Sequence, residues 1–477
     1  MKKSKNQIKR HSSAIARVSD LLISYRLELK DIPGTFAIVA EAIGKLKGNI
    51  LDIDLVSRHP GKIVRDISVL VPNRIQMDAI TAVLRKGFAG RATLLQVIDK
   101  VETIHRGGKI EVVSKYPLTS FYDLSLAYTP GVARISLAIA ADPLKARDFT
   151  IIGHTVGIVT DGTAVLGLGD VGPLAAMPVM EGKAMIFKRF AGLDAIPIIL
   201  DVHSVEEIIR TVKAIAPGFG GINLEDIAGP KCFEIEERLD ADLPIPVFHD
   251  DQHGTAIVSL GGLMNALKVV KKKMTRIRVV ISGAGAAGIA IAKLLRVVGV
   301  RNIVMCDRKG ILAEGRDGMN PEKTMMAQIL NPERVVGPLE KALHGADVFI
   351  GVSSAGILNA KMVKTMAKDP IIFALANPDP EITPEEAVKV ARVVATGRSD
   401  YSNQVNNAIC YPGFFRGALD AGAKRVTTEM KLAAARAIAA SVPPNRLGPE
   451  CIIPEIFDPK VHEAVTQAVA SAVRKFH

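Results

Sequence analysis

The chain has 477 residues, of which 48% are hydrophobic and 23% are charged, and its formal net charge is +12. This length is too great for one ordinary core, so we expect two or three domains. No apolar run approaches the roughly 18 residues that a membrane span needs, and no secretory signal follows the basic start, so we expect a cytoplasmic protein without a membrane role. The basic residues are spread along the chain, which argues against a nucleic-acid partner and suits anionic substrates.

Four cysteines lie far apart in the sequence, and none forms a C-x-x-C pair. This spacing argues against a zinc ribbon and against a disulfide framework. We therefore expect reduced and mostly buried thiols. The four residues are Cys232, Cys306, Cys410 and Cys451.

Residues 1–20 form a polar, basic leader, and residues 21–101 are predicted to fold as a β-α-β-β-α-β unit. The first strand, residues 23–29, alternates in hydrophobicity and is ended by Asp31-Ile32-Pro33-Gly34. This pattern resembles the ACT domain, a small module that often binds amino acids where two copies meet. The resemblance implies an amino-acid effector. A ferredoxin-like dimerisation module without a ligand is the alternative.

Residues 110–260 alternate short apolar runs with helical segments, which is the pattern of a parallel sheet in an α/β domain. Four of the predicted strands end in acidic residues. Sites in open α/β sheets form outside the carboxyl ends of the strands, so several of these acids should converge on one crevice. The acids are Asp161, Asp201, the pair Glu225-Asp226 and the pair Asp250-Asp251.

Adjacent carboxylates of this kind form an oxygen-rich site that suits Mg²⁺ or Mn²⁺. Convergent carboxylates also repel one another unless a cation lies among them. His249 and His253 have the i, i+4 spacing of a zinc site on a helix, but the carboxylates predominate and His249 falls at a strand end. We therefore predict a magnesium or manganese site and not a zinc site.

Residues 261–430 are predicted to form a Rossmann dinucleotide-binding domain, followed by C-terminal helices in residues 431–477. A predicted strand leads into Gly283-Ala284-Gly285-Ala286-Ala287-Gly288, which opens a helix. In this motif the glycines allow a tight turn and a close approach to the diphosphate, which rests on the helix N-terminus. We therefore assign Gly283, Gly285, Ala286, Ala287 and Gly288 to cofactor binding.

The cofactor preference depends on Asp307, at the end of the next predicted strand. A carboxylate there can accept hydrogen bonds from both ribose hydroxyls and repels a 2′-phosphate, which favours NAD over NADP. Arg308 and Lys309 follow it directly and weaken this inference.

Six groups of residues between about Tyr116 and the C-terminus resemble, in order, the signatures of malic enzymes. Ala164 makes the chain similar to the smaller bacterial and archaeal type, because larger members carry a substrate-binding arginine there. The motifs are Tyr128-Thr129-Pro130-Gly131-Val132-Ala133, Asp161-Gly162, Leu166-Gly167-Leu168-Gly169-Asp170-Val171-Gly172, Met180-Glu181-Gly182-Lys183, Leu224-Glu225-Asp226 and Phe248-His249-Asp250-Asp251-Gln252-His253-Gly254-Thr255-Ala256.

The resemblance implies an enzyme that oxidises and decarboxylates L-malate to pyruvate and CO₂, reduces NAD, needs Mg²⁺ or Mn²⁺, and works as a homodimer or higher homo-oligomer. Its implied site residues are Tyr128 and Lys183 as acid and base, Asp250 as a catalytic or orienting carboxylate, Glu225, Asp226 and Asp251 as metal ligands, and Asn377 and Asn407 as substrate-binding residues.

These residue types suit the chemistry. Hydride can leave C2 of malate only as the hydroxyl loses its proton, and Lys183 can accept that proton if its pKa is depressed. The metal would stabilise the enolate that remains after CO₂ leaves, and Tyr128 could then protonate C3. Which cation holds the substrate carboxylates stays open.

Three alternatives remain. The chain could be an NADP-preferring malic enzyme or one that mainly decarboxylates oxaloacetate. A catalytically silent amino-acid sensor would keep the fold, but such a protein should have lost some of the implied catalytic and metal residues. All of them are present: Tyr128, Lys183, Glu225, Asp226 and Asp251.

Overall fold

A computed structural model of the chain describes residues 21–165 and 167–475, so the predicted leader at residues 1–20 lies outside the described part. The chain divides into two compact units, Met1–Lys109 and Ile110–His477. Each unit has its own hydrophobic core.

The first unit contains a four-stranded antiparallel sheet in the order β2-β3-β1-β4. Its elements follow the predicted β-α-β-β-α-β order, and one short helix is added at the end. They are β1 Leu21–Lys30, α1 Thr35–Lys45, β2 Asn49–His59, β3 Lys62–Val71, α2 Arg74–Lys86, β4 Ala92–Asp99 and α3 Lys100–His105.

The core of this unit follows from the alternation in the central strand β1. Ile23, Tyr25 and Leu27 are fully buried, and they form one cluster with Val39 and Ile43 of α1. The turn between β1 and α1 ends at Gly34, whose φ of 83° is a left-handed conformation that glycine adopts without steric cost.

The second unit begins with helices and then forms a parallel four-stranded sheet in the order β6-β5-β7-β8. The elements are α4 Phe121–Ala127, α5 Val132–Ala141, α6 Ala146–Phe149, β5 Thr155–Thr160, α7 Pro173–Ala191, β6 Asp194–Ile199, α8 Val205–Ile215, β7 Gly221–Leu224, α9 Lys231–Asp242, β8 Val247–His249 and α10 Asp250–Val270.

A six-stranded sheet follows in the order β11-β10-β9-β12-β13-β14, with only β11 antiparallel. The strand order reverses between β9 and β12, which is the crevice where Rossmann folds bind dinucleotides. The elements are β9 Arg278–Ser282, α11 Ala286–Val297, β10 Asn302–Asp307, β11 Gly310–Ile311, α12 Pro321–Ile329, α13 Leu339–Leu343, β12 Val348–Gly351, α14 Ala360–Val363, β13 Ile371–Ala374, α15 Pro384–Ala387, β14 Val393–Thr396, α16 Tyr411–Asp420, α17 Thr428–Ala440 and α18 Pro459–Arg474.

Helix α10 joins the two sheets of this unit. It crosses the boundary predicted between residues 260 and 261, and most of its residues are buried. One core cluster contains Val156 and Ile158 of β5, Ile257 of α10, and Val279 and Ile281 of β9. A helix that is apolar around most of its circumference belongs inside a core, which explains why residues 110–477 form one unit.

The segment from residue 112 to residue 151 exposes many large apolar side chains. Val112 is 96% exposed and Phe121 is 91% exposed. Phe121–Ala141 also has the length and hydropathy of a membrane span, contrary to the expectation that no such run exists. The segment is not one helix, however, because α4 and α5 are separated by Tyr128–Gly131. No residue of either helix is buried.

The four cysteines are free thiols, and three of them are buried, as predicted.

Candidate active site

Three of the predicted acidic residues meet at the carboxyl end of the first parallel sheet. Glu225 and Asp226 follow β7 and Asp251 is the second residue after β8, and one carboxylate oxygen from each lies within 4.8 Å of the others. Asp201 follows the edge strand β6, is exposed, and does not join them. The predicted convergence was therefore correct for the acids after β7 and β8 and wrong for the acid after β6.

The loop after β7 is held to the turn after β8. The backbone N–H of Asp226 donates to Oδ2 of Asp251 over 2.9 Å. Asp226 has a φ of 52°, a left-handed conformation that aspartate tolerates better than most residues. All the donors in this group are carboxylate oxygens, which fits Mg²⁺ or Mn²⁺ better than zinc.

Lys183 lies beside this group, in the middle of α7, and its side chain is buried. Its Nζ is 2.5 Å from Oδ2 of Asp250 and 2.6 Å from Oε1 of Glu225. Burial lowers the pKa of Lys183, but the two carboxylates outweigh it and hold the pKa well above its usual value. The expected depression of this pKa was therefore wrong for the chain by itself.

The carboxyl groups around Lys183 have raised pKa values. Burial raises the pKa of Asp250 to about 7 although Lys183 lowers it, and the Asn407 side chain adds a hydrogen bond. Burial likewise raises the pKa of Asp251 to about 6. Shifts of this kind, from desolvation and specific charge partners, are typical of functional sites.

Tyr411 is a residue of this cluster that the sequence did not reveal. It begins α16, is buried, and its ring centroid lies 4.2 Å from Nζ of Lys183. An ammonium over an aromatic face is attracted by the ring quadrupole. Tyr411 lies more than 200 residues from Lys183 along the chain, so no local pattern links them.

Tyr128 is placed differently from the other predicted catalytic residues. It caps the C-terminus of α4 and is 67% exposed. Among the hydrogen bonds of the described residues, none joins its side chain to Lys183 or to the carboxylates. A single chain therefore does not bring this tyrosine into the cluster.

The two predicted substrate-binding asparagines both lie close to this region. Asn407 contacts Asp250, as described above. Asn377 follows β13, and its backbone oxygen would lie 2.5 Å from a Cβ added at Gly167. The close approach explains why a glycine occupies position 167, and it brings the loop after β5 against the end of the second sheet.

Lys231 is a cation at this site that the sequence reasoning missed. Its ammonium pairs with the buried carboxylate of Asp161, which also accepts a hydrogen bond from the Thr163 hydroxyl. The backbone N–H of Ala164 donates to the Asp226 oxygen over 2.9 Å. The loop after β5 is therefore joined to the loop that carries Glu225 and Asp226.

The glycine motif forms the turn between β9 and α11. A Cβ at Gly288 would lie 1.8 Å from the oxygen of Gly283, and Gly283 itself has a φ of 117°. A Cβ at Gly285 would meet nothing within 4 Å, so this position faces open space. Ala286 and Ala287 are the first residues of α11, whose N-terminal N–H groups can receive a diphosphate.

Asp307 ends β10 and is held by two cations. Oδ2 lies 2.6 Å from Nη2 of Arg316 and 2.9 Å from Nζ of Lys323. Burial raises the pKa of Asp307, but these two partners lower it to about 2. The sequence reasoning named Arg308 and Lys309 as the neighbouring cations; of these only the backbone N–H of Lys309 reaches the carboxylate.

The sequence matches two family models that together cover most of the second unit. The malic enzyme N-terminal domain matches residues 107–240, and the malic enzyme NAD-binding domain matches residues 252–476. The α/β fold with a Rossmann-like domain is thereby confirmed.

Curated relatives and a solved structure agree with these matches. The chain is 55% identical to an NAD-dependent malic enzyme of Geobacillus stearothermophilus over 450 residues, which is 94% of each chain. It is 57% identical to a bifunctional malic/malolactic enzyme of Bacillus subtilis over 76% of this chain and 90% of that one. The crystal structure of an NAD-dependent malic enzyme from Thermotoga maritima superposes with a TM-score of 0.76 at 50% identity, covering 78% of this chain and 99% of that one. The chain therefore belongs to the malic enzyme family.

Proposed function

We propose that this chain oxidises L-malate and decarboxylates it to pyruvate and CO₂ while reducing NAD. The observation that carries the proposal is the buried Lys183, held between Glu225 and Asp250 at the edge of a three-carboxylate group. Such a base beside a divalent-metal site is what removal of a hydroxyl proton and of CO₂ requires.

Glu225, Asp226 and Asp251 would hold Mg²⁺ or Mn²⁺. When bound, the ion supplies Lewis-acid stabilisation of negative charge on the C2 oxygen. The same three carboxylates would otherwise repel one another in a buried site, so the donor set fits a cation. Lys231 and Asn407, which border the group, are our candidates for holding the substrate carboxylates.

Lys183 and Asp250 can pass a proton between them. Asp250 lies 2.5 Å from the ammonium, and burial raises its pKa to about 7, above the usual range of a carboxyl group, so it is our candidate for accepting the lysine proton during turnover. Lys183 is then neutral and can take the proton of the C2 hydroxyl as hydride leaves C2 for the nicotinamide. Loss of CO₂ leaves an enolate, and Tyr128 is our candidate for donating the proton to C3.

We further propose that a second copy of the chain covers the exposed apolar segment of residues 112–151. Helices of 7 and 10 residues span about 10 and 15 Å, far short of the roughly 30 Å of a bilayer core, so they do not fit a membrane. Contiguous exposed apolar surface of this kind marks a protein interface. Since Tyr128 lies on this segment, it would reach a cluster like that of Lys183 only in the assembled enzyme.

The first unit is proposed to be an ACT-like regulatory module that binds an amino acid. Its β-α-β-β-α-β order and the Gly34 turn support this assignment. We propose that the enzyme acts in the cytoplasm, where malate, NAD and free amino acids are available.

The experiment is an NADH-formation assay of the full chain with L-malate, NAD and Mn²⁺, before and after stripping with a chelator. Pyruvate and lactate are both quantified, because the Bacillus subtilis relative is named a malic/malolactic enzyme. We expect pyruvate and NADH in equal amounts, and loss of both after stripping that added Mn²⁺ reverses. Metal-independent turnover would refute the metal site.

The same assay separates the alternatives. Faster turnover with NADP would make the chain an NADP-preferring enzyme, and faster loss of oxaloacetate than of malate would make it mainly a decarboxylase. A panel of amino acids tests the first unit. No turnover with any substrate, together with amino-acid binding, would favour the silent sensor.

A further inference from the structure

A largely buried network of polar and charged side chains lies beside the turn that carries Asp250 and Asp251. Its centre is Glu236 on α9, whose side chain is 12% exposed. Oε1 of Glu236 accepts from the backbone N–H of His249 over 2.8 Å, and Oε2 accepts from the Gln252 amide over 3.0 Å. One carboxylate on α9 therefore holds two points on either side of the Asp250-Asp251 pair.

His253 and Lys431 complete the network. Nε2 of His253 lies 2.9 Å from Oε2 of Glu236, and Nδ1 lies 3.1 Å from Nζ of Lys431 on α17. Nζ of Lys431 also lies 3.3 Å from Nε2, but Nε2 is closer to the Glu236 carboxylate. We therefore assign a neutral His253 that donates from Nε2 to Glu236 and accepts from the Lys431 ammonium at Nδ1. The network then carries one negative and one positive charge and joins three helices: α9, α10 and α17.

The contacts of Glu236 replace a missing helix cap. His249 is the N-cap of α10 and its side chain makes no capping hydrogen bond. In a capping box, a glutamate on the helix itself accepts from the N-cap N–H, and here Glu236 does so from a different helix. Its negative charge also lies at the N-terminus of α10, where the helix dipole favours it.

The network lies next to the proposed metal ligands. Asp251 lies two residues from His249 and two from His253, and Oδ2 of Asp251 is 3.7 Å from Nδ1 of His249. Burial raises the pKa of the Glu236 carboxyl, but the hydrogen bond from His253 and the positive charge of Lys431 help to lower it to about 2, so the carboxylate stays charged.

Buried charge pairs are weak contributors to stability, since apolar residues of similar volume often serve as well. Because burying these charges contributes little to stability, their position beside Asp251 favours a role in fixing the positions of the proposed metal ligands. We propose that Glu236, supported by His253 and Lys431, is a positioning residue that fixes the first turn of α10 so that Asp251 faces Glu225 and Asp226 across a divalent cation. This inference rests on the proposed metal site and adds the residues that preorganise it.

The test measures Mn²⁺ binding directly, by electron paramagnetic resonance of the free ion, in the full chain and in Glu236→Gln. Glutamine keeps the volume and one acceptor, but it brings an NH₂ group against the donors of Gln252 and His253. We expect the Kd for Mn²⁺ to rise about 10- to 100-fold, the range seen when residues that orient metal ligands are changed.

Glu237→Gln is the matched control, because Glu237 is the next residue of α9 and is exposed. Its Kd should equal that of the unaltered chain. Urea unfolding of both variants is measured in parallel. A residue needed only for stability would lower the unfolding midpoint and leave the Kd of the folded protein unchanged, and that result would overturn the proposal.

If Glu236→Gln does not fold, His253→Gln removes one partner of Glu236 and keeps an amide donor. A raised Kd in this variant supports the proposal, and a Kd equal to that of Glu237→Gln overturns it. Absence of Mn²⁺ binding in the unaltered chain would instead refute the metal site itself, and this inference with it.

Discussion

Lys183 is the proposed general base, and its loss should be felt in turnover. It neutralises two buried carboxylates and lies over the ring of Tyr411. Changing it to alanine should lower kcat by about 10² to 10⁴, as loss of a general base does, with a smaller effect on the KM for NAD. Steady-state kinetics check this against Lys188→Ala, an exposed lysine of the same helix. A kcat equal to that control would exclude Lys183 as the base.

Asp307 is paired with Arg316 and Lys323, and we expect this group to set the charge beside the adenosine ribose. Asp307→Ser should free both cations to receive a 2′-phosphate, so kcat/KM with NADP should rise relative to NAD by about 1 to 3 kcal/mol of discrimination. The control is Asp317→Ser, at an exposed position next to Arg316. An unchanged ratio, or an unaltered enzyme that already prefers NADP, would show that Asp307 does not select the cofactor.

At the scale of residues, the sequence predicts the site residues that belong to local motifs. Glu225, Asp226 and Asp251 meet because strand ends in a parallel sheet share one edge, and that rule needs no alignment. The contacts of Arg316 with Asp307 and of Tyr411 with Lys183 could not be predicted, because they depend on how the intervening chain folds. The raised pKa of Lys183 also could not be predicted, because it depends on how far the two nearby carboxylates outweigh burial in the folded protein.

At the scale of elements, the turn between β9 and α11 separates two kinds of glycine. Gly285 faces open space and has a φ of −100°, which alanine can adopt. Gly285→Ala should therefore fold normally. It should raise the KM for NAD about tenfold or more, because the added methyl group would block the approach of the diphosphate to the backbone and prevent a hydrogen bond between them.

Gly288 serves packing instead. An added methyl group would meet the oxygen of Gly283, so Gly288→Ala should lower the free energy of unfolding by about 1 to 3 kcal/mol, the usual cost of overpacking. Urea titrations of both variants check the pair. Equal destabilisation by the two alanines would contradict this division of roles.

Strands were easier to predict than their connections. The run 23–29 was predicted as a strand and lies within β1, Leu21–Lys30, because alternating hydrophobicity is typical of a strand with one buried face. The short helices α13, α14 and α15 have four or five residues each and leave no clear periodicity. α10 was missed as a continuous element, since its glycines and polar N-terminal turn suggest a boundary.

At the scale of the whole molecule, the second unit should work alone. It has its own core, and 78% of this chain covers 99% of the Thermotoga maritima structure. A fragment of residues 110–477 should fold and oxidise malate with a kcat close to that of the full chain, but it should not respond to amino acids. Turnover and thermal unfolding of both proteins check this. An unfolded or inactive fragment would show that residues 1–109 are needed for more than regulation.

The end of the first unit could be predicted from the sequence, but the joining of the next two predicted domains into one unit could not. Length and the change of pattern near residue 110 indicate where the first unit ends. The shared core around α10 joins what the sequence divided into a metal domain and a dinucleotide domain, because both sheets bury their apolar faces against the same helix.

The proposed covering of the exposed apolar segment around Tyr128 would link turnover to protein concentration. If a second copy covers this segment and brings the tyrosine to a site, dilution separates the copies and removes the proton donor while the Lys183 cluster stays intact. Specific activity should then fall as the enzyme is diluted and return when it is concentrated. In a cell, the abundance of the chain would set both how much enzyme exists and what fraction of it is active.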